Sequence, residues 1–199
     1  MLVTASHLVG TPILSVQASA KIAEISEPII DPDTLKIVAF KVAGPMVGSA
    51  YILDAKSIRE YSQYGMVIDS IDDLAEPDDI IKVAKILELN FMLPGLKVET
   101  KKGTKLGKVT DYTVTDDNFL TQQIIVKRPF VKSLMDPTLT IPRKEIVEVT
   151  DYKVIVKDEE KTIRARAEKE DFIPNFVNPF REPGFAPSQT ETPVDKDTE

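Results

Sequence analysis

The apolar positions of the chain recur with a period of two in two stretches, one before residue 77 and one after residue 92. Val38, Phe40 and Val42 lie on one face of such a stretch, as in a β-strand with one buried side. Turn-forming residues separate the short apolar runs at positions 31–33, 102–103 and 116–118. The pattern predicts a mainly β chain of short antiparallel strands.

A different period occupies residues 77–92. Ile80, Val83, Ala84 and Leu87 are spaced as on one face of a helix, and Pro77 suits its first turn. Ile81, Ile86 and Leu89 widen the apolar face. We therefore predict a linking helix that is sandwiched between the two flanking regions, with a partner-binding helix as the alternative.

The two β-rich stretches follow the same order of apolar positions and turns. Residues 21–25 align with residues 105–109 at an offset of 84, and the same offset places Phe40 and Val42 on Ile124 and Val126. This repeat predicts two tandem small antiparallel β-barrels. The predicted domains are 1–76 for the first repeat, 77–92 for the linking helix, 93–157 for the second repeat and 158–199 for a tail.

Charge is distributed unevenly among these regions. The chain has 25 basic and 32 acidic residues and a net charge of −7, whereas residues 93–157 alone carry a net charge of +4. Such asymmetry indicates either an anionic partner or two halves that complement each other electrostatically.

The basic residues of the second repeat are the first candidate binding site. They crowd one predicted hairpin and later strand ends: Lys97, Lys101, Lys102, Lys105, Lys108, Lys127, Arg128, Lys132, Arg143 and Lys144. Of these, we select Lys101, Lys102, Lys105, Lys108, Lys127 and Arg128 as partner-binding residues. A solvated hairpin, an acidic protein surface and RNA are the three interpretations. RNA recognition usually adds exposed aromatic residues, whereas we expect Tyr112 and Tyr152 in the core.

The tail is the second candidate. Phe172, Phe176 and Phe180 lie in a proline-rich stretch, where a continuous helix or central strand is excluded. We expect this segment to dock in extended form, either on the protein's own barrels or on a partner, and we expect disorder from about residue 186.

The composition argues against catalysis. The chain has no Cys, no Trp and a single His, so it lacks thiol chemistry, a cysteine zinc site and a multi-histidine metal centre. We predict no enzyme activity, no cofactor and no metal. The first 20 residues are uncharged and lack the basic n-region of a signal peptide, so we expect a cytoplasmic protein. The apolar stretch at 42–53 is too short to span a membrane, so we expect no membrane insertion.

The motifs at residues 8–13, 21–25, 29–34 and 38–42 resemble a PRC-barrel domain, and residues 103–111 and 141–146 resemble a second copy. The first copy has Ala23 where the family often has Gly. PRC barrels occur in the cytoplasmic domain of the photosynthetic reaction-centre H subunit and in ribosome maturation factors. The resemblance implies a non-catalytic protein-interaction or scaffold module, and an RNA-associated, ribosome-maturation-like factor is the alternative.

Overall fold

In the computed structural model, which describes residues 1–45, 47, 51–129 and 137–158, strands of alternating burial build two sheets, each of seven strands. The first sheet contains β2 (Pro12–Ser15), β3 (Ala20–Asp31), β4 (Lys36–Ala43), β5 (Ile52–Asp54), β6 (Glu60–Ser62), β7 (Gly65–Ile68) and β8 (Leu74–Ala75). The second contains β1 (Leu2–Thr4), β9 (Lys97–Thr100), β10 (Lys105–Thr115), β11 (Thr121–Lys127), β12 (Thr138–Pro142), β13 (Ile146–Val149) and β14 (Lys153–Val156).

The strand order of the first sheet is β6-β7-β2-β3-β4-β5-β8. All its neighbours are antiparallel except β2 and β7, which pair in parallel. Register shifts between Ile25 and Glu27 and between Ile29 and Ile30 flank Pro28, whose missing N–H cannot contribute to a regular ladder. The long strand β3 is thereby bent in its middle.

The second sheet has the order β12-β11-β10-β9-β14-β13, again with one parallel pair, β9 and β14. Strand β1, from the start of the chain, pairs antiparallel with the C-terminal part of β10. The short helix α1 (Ala5–Leu8) follows β1 directly, and it buries Ala5 and Leu8. The first residues of the chain therefore belong to the sheet that is otherwise built from residues 97–156.

Helix α2 (Ile81–Glu88) lies within the predicted helical region, and a 3-10 helix (Pro77–Asp79) precedes it. Val83 joins a core cluster with Ile29, Ala39 and Ile52 of the first sheet, and Ile80, Ile86 and Leu87 pack against that cluster. The wider apolar face was predicted wrongly: Ile81 is 72% exposed and Leu89 is 57% exposed. The helix buries a single stripe against β3, β4 and β5, so its other side faces solvent.

Two turns join the sheets to each other. Leu35, in the β3–β4 turn, and Phe119, in the β10–β11 turn, both have positive φ angles, of 51° and 55°. The Ile37 N–H donates to the Phe119 carbonyl (3.1 Å), and the Thr121 N–H donates to the Leu35 carbonyl (3.0 Å). These reciprocal bonds connect the two turns directly.

The Phe119 side chain reinforces this junction. Its ring contacts Phe40 of β4 edge-to-face, with centroids 5.2 Å apart, and Tyr61 of β6 at 6.3 Å. Phe119 and Phe40 are both buried. An aromatic residue from the second sheet thus completes the core of the first.

The prediction of a mainly β chain is confirmed, and the strands include a curled, half-barrel sheet. The predicted turns at 31–33, 102–103 and 116–118 all separate strands. The chain beyond residue 158, including the predicted disorder from about residue 186, lies outside the described residues.

Tyr112 occupies the core of the second sheet, as predicted, and is only 2% exposed. Burial raises the pKa of its phenol well above the usual value of 10.0, and the carboxylates of Asp111 and Glu27 raise it further. The native state therefore holds this proton at pH values where the unfolded chain loses it.

We expect Phe119→Ala to lower the free energy of unfolding by about 3–5 kcal/mol, because it empties an aromatic site at the junction of the sheets. The substitution retains a Cβ, so the backbone strain of the positive φ is unchanged. Urea denaturation measures the effect, with Tyr64→Ala as the control because Tyr64 is 74% exposed. Equal effects of the two substitutions would contradict the assignment of Phe119 to the core.

The raised pKa of Tyr112 predicts a loss of stability in alkali. Above about pH 10 the unfolded chain binds one proton fewer than the native state, so stability falls by up to about 1.4 kcal/mol per pH unit. Tyr112→Phe removes this contribution and should flatten the decline between pH 10 and 12 in urea denaturation. Tyr152→Phe is the matched control, since Tyr152 is exposed and should leave the slope unchanged.

A basic groove as candidate binding site

A groove of about 550 Å³ runs across β9, β10 and β11 of the second sheet. Val98 and Val109 border the groove but are almost fully buried, so the charged side chains define its character. Five cationic residues and one carboxylate line it: Lys97, Lys105, Lys108, Lys127, Arg128 and Glu99. We call this feature the basic groove.

Four lysines form a continuous row across this part of the sheet. Lys97 lies directly opposite Lys108 on β10 and beside Lys153 on β14, and Lys108 lies opposite Lys127 on β11. Directly paired residues of neighbouring strands project from the same face. Lys153, Lys97, Lys108 and Lys127 are therefore consecutive neighbours on one face, and we call them the lysine row.

Such a row opposes folding. Cβ atoms of directly paired residues lie about 4.5–5.5 Å apart, well within the Debye length of about 8 Å at physiological salt. Like charges at this separation repel one another, and Lys108 has a cationic neighbour on each side. The strand pairing is thus maintained against an electrostatic penalty that an anionic ligand would relieve.

Glu99 compensates one end of the row. Its Oε2 accepts a hydrogen bond from the Lys153 Nζ at 3.4 Å, and Lys105 lies opposite it in the strand register. Among the described residues that line the groove, Glu99 is the only acidic one. Lys97, Lys108 and Lys127 therefore form the uncompensated part of the surface.

Gly107 permits the close approach of the strands at this site. Its φ of +151° lies in the region that favours glycine, and a Cβ at this position would clash with the carbonyl oxygen of Lys127. A register shift between Lys105 and Gly107 marks a bulge in β10 here. Gly107 thus allows the bulge in β10 and the close packing of β10 on β11 at the point where Lys105 and Lys108 line the groove.

The structure gathers four of the six selected basic residues, since Lys105, Lys108, Lys127 and Arg128 line the groove. Lys101 and Lys102 occupy the adjacent β9–β10 turn: the Lys101 N–H donates to the Val156 carbonyl (3.0 Å), and the Lys102 N–H donates to Asp158 Oδ1 (3.0 Å). Phe172, Phe176 and Phe180 lie outside the described residues, as does Lys132.

Sequence reasoning missed two residues of this surface. Lys153 was not among the basic candidates, and only the parallel register of β14 and β9 reveals its place in the row. The expectation that Tyr152 belongs to the core was wrong, because its side chain is 80% exposed. The Tyr152 carbonyl accepts a long hydrogen bond from the Lys97 N–H at 3.4 Å, so the backbone of an exposed aromatic residue pairs with that of the row.

Within residues 1–45, 47, 51–129 and 137–158, no group of three or more His, Cys, Asp or Glu residues is placed to hold a metal ion. The helices of the same ranges are all too short or too polar to cross a bilayer.

The lysine row predicts that a neutral substitution stabilises the protein. Lys108→Gln removes the repulsion of Lys108 with the lysines on either side of it. It should therefore raise the free energy of unfolding by about 0.5 kcal/mol at low salt. The gain should shrink as salt screens the repulsion, which urea denaturation at two ionic strengths would show. In the control, Lys21→Gln breaks the ion pair of Lys21 with Glu24 and should give no gain. A destabilised Lys108→Gln protein would argue against the row as a source of repulsion.

Comparison with known proteins adds no relative to this description. No protein-family model matches the chain, and no curated protein matches it significantly.

Proposed function

We propose that the protein is a non-catalytic interaction module of the PRC-barrel type, which uses the basic groove to bind an acidic surface of a protein partner. The lysine row carries this proposal. Three adjacent lysines without a compensating carboxylate among the described lining residues form a surface whose chemistry favours a row of carboxylates.

Matched contacts in the two sheets support the tandem-repeat part of the proposal. The Gly10 N–H donates to the Ile25 carbonyl, and the Gly95 N–H donates to the Val109 carbonyl, both at 2.8 Å. The parallel pairs correspond as well, since Ile13 lies beside Met66 and Val98 lies beside Val154. Ile25 and Val109 are separated by the offset of 84, and the other matched residues by 85 to 88, so the order of contacts favours two PRC-barrel-like units.

The first unit also indicates that the lysine row is not a requirement of the fold. In the corresponding strands Pro12 lies opposite Glu24, and Glu24 lies opposite Ala43. These three positions match Lys97, Lys108 and Lys127 in strand register, yet none is basic. Because the same strand pairing forms without the lysines, binding is the better explanation for them.

RNA is the second candidate ligand class, and Tyr152 is the observation that favours it. An exposed aromatic ring can stack on a base while lysines contact phosphates, and Tyr152 directly precedes Lys153 of the row. Tyr152 is, however, the one exposed aromatic residue among the described residues of the second sheet. Single-stranded RNA is usually held by several stacking platforms, so the acidic protein surface is the preferred partner.

The test compares an acidic peptide with RNA. Fluorescence anisotropy would follow the binding of labelled polyglutamate and labelled poly(U) to the full chain at low salt. The triple variant Lys97→Gln, Lys108→Gln, Lys127→Gln should weaken polyglutamate binding at least tenfold, because it removes the uncompensated charges. The control triple Lys21→Gln, Lys41→Gln, Lys85→Gln makes the same change in net charge elsewhere and should bind as the parent does.

The outcomes separate the two partners. Tighter binding of poly(U), lost in Tyr152→Ala and falling steeply with salt, would replace the protein partner by RNA. Equal losses in the two triple variants would show that net charge alone governs binding, and this would overturn the basic groove as a site.

A further inference from the structure

A second cavity, of about 720 Å³, lies where the first sheet meets the β10–β11 turn. The 3-10 helix Ala55–Ser57, the start of α2 and a second 3-10 helix, Arg143–Glu145, contribute to its walls. It shares no lining residue with the basic groove. Its volume falls within the range of about 300–1,000 Å³ that is typical of small-molecule sites.

The cavity has an apolar floor. Ile37, Val83 and Phe119 line it and are almost fully buried in the core. Val38, Ile58 and Ile80 extend this apolar surface toward the mouth. These three side chains are only partly buried, so a ligand with an apolar body can replace water against them.

Four cationic residues surround this floor: Lys36, Lys56, Lys82 and Arg143. Four carboxylates line the cavity as well, those of Asp31, Asp33, Asp54 and Asp117. Asp31 accepts hydrogen bonds from the Asp33 N–H (3.0 Å) and the Thr34 hydroxyl (2.9 Å), and Asp54 accepts one from the Lys56 N–H (2.9 Å). The remaining carboxylates, those of Asp33 and Asp117, belong to exposed turn residues.

Arg143 is the residue that points to a ligand. Its Nη1 is buried, and it has no hydrogen-bond partner among the described residues. No ion pair in the described part of the chain includes its guanidinium. A buried cationic donor without an acceptor is strongly unfavourable, and such groups in native proteins call for an explanation.

The backbone holds Arg143 firmly in this position. It follows Pro142 of β12, which pairs with Gln123 of β11, and the Ile146 N–H donates to the Arg143 carbonyl to close the 3-10 turn. Arg143 therefore lines the cavity from a rigid element. Its planar fork matches the two oxygens of a carboxylate or phosphate.

We propose that this cavity binds a small organic oxyanion, in which a carboxylate or phosphate group accepts hydrogen bonds from Arg143 and an apolar body covers Val38, Ile58 and Ile80. Lys56 and Lys82 lie exposed at the mouth and attract the anion electrostatically. The site is independent of the proposed partner-binding function, because its cations and those of the basic groove are different residues.

Benzoate and phenyl phosphate are suitable probes, with benzyl alcohol as an uncharged control of similar shape. The full chain is titrated with each probe while NMR monitors the backbone amide signals. The chemical shifts of the Lys36 and Phe119 amides should change saturably with at least one of the two anions. Benzyl alcohol should bind at least tenfold more weakly. The anion that binds more tightly identifies carboxylate or phosphate as the preferred group.

Variants assign the binding to Arg143. Arg143→Gln should weaken the preferred anion at least tenfold, and Arg143→Lys should weaken it less, because it keeps the charge but loses the fork. Arg128→Gln, which removes an arginine from the basic groove, should leave this binding unchanged. If Arg143→Gln does not fold, the exposed pair Lys56→Gln, Lys82→Gln should still weaken binding several-fold.

Three results would overturn the site. The first is that neither anion gives saturable shifts up to about 10 mM, a concentration that would still detect very weak binding. The second is equal binding by the parent and Arg143→Gln, and the third is shifts that are confined to the lysine row. None of them affects the polyglutamate test of the basic groove, so the two proposals fail separately.

Discussion

The reciprocal hydrogen bonds between the Leu35 and Phe119 turns are the contact on which the arrangement of the two sheets depends. Each turn reverses its own hairpin, and its carbonyl accepts a hydrogen bond from the other hairpin. Both residues have positive φ, an unusual conformation for large side chains, and burial of their side chains compensates for that strain. Because Phe119 also packs on Phe40, the same turn closes the first core and forms part of the floor of the Arg143 cavity.

The buried residues on the opposite face of the same strands determine the alignment of the lysine row. Val98, Val109 and Val126 lie in the core, and a strand that slipped by one residue would expose them. The buried valines therefore fix the register that aligns Lys97, Lys108 and Lys127 on the opposite face. Hydrophobic burial of one side chain is worth about 1.5–3 kcal/mol, which exceeds the repulsion of a surface lysine pair. The sheet can thus hold an unfavourable charge pattern and present it to a ligand.

The sequence predicts a feature of this structure when the residues that produce the feature are close to one another along the chain. Period-two alternation and turn residues predicted the β-rich chain, and the clustering of lysines in one hairpin predicted most of the basic groove. The contribution of Lys153 depends on a parallel pairing between strands more than 50 residues apart, which periodicity does not encode. The pairing of β1 with β10 is equally non-local. Ile81 and Leu89 were misassigned because an apolar residue at helical spacing is buried only where a second surface covers it, and α2 packs on one sheet.

The two clusters of positive charge suit different ligands because they differ in shape and exposure. The lysine row is a linear, solvated array on a sheet face, so salt screens it strongly, and it gains most from a ligand that repeats its charge along a chain. The Arg143 Nη1 is a single buried donor beside an apolar floor, where screening is weak and geometry decides affinity. A polymeric anion cannot enter the cavity without leaving most of its charges unmatched, and a small anion meets only a part of the row. Under the two proposals, shape and exposure therefore assign extended anionic partners to the groove and compact ones to the cavity.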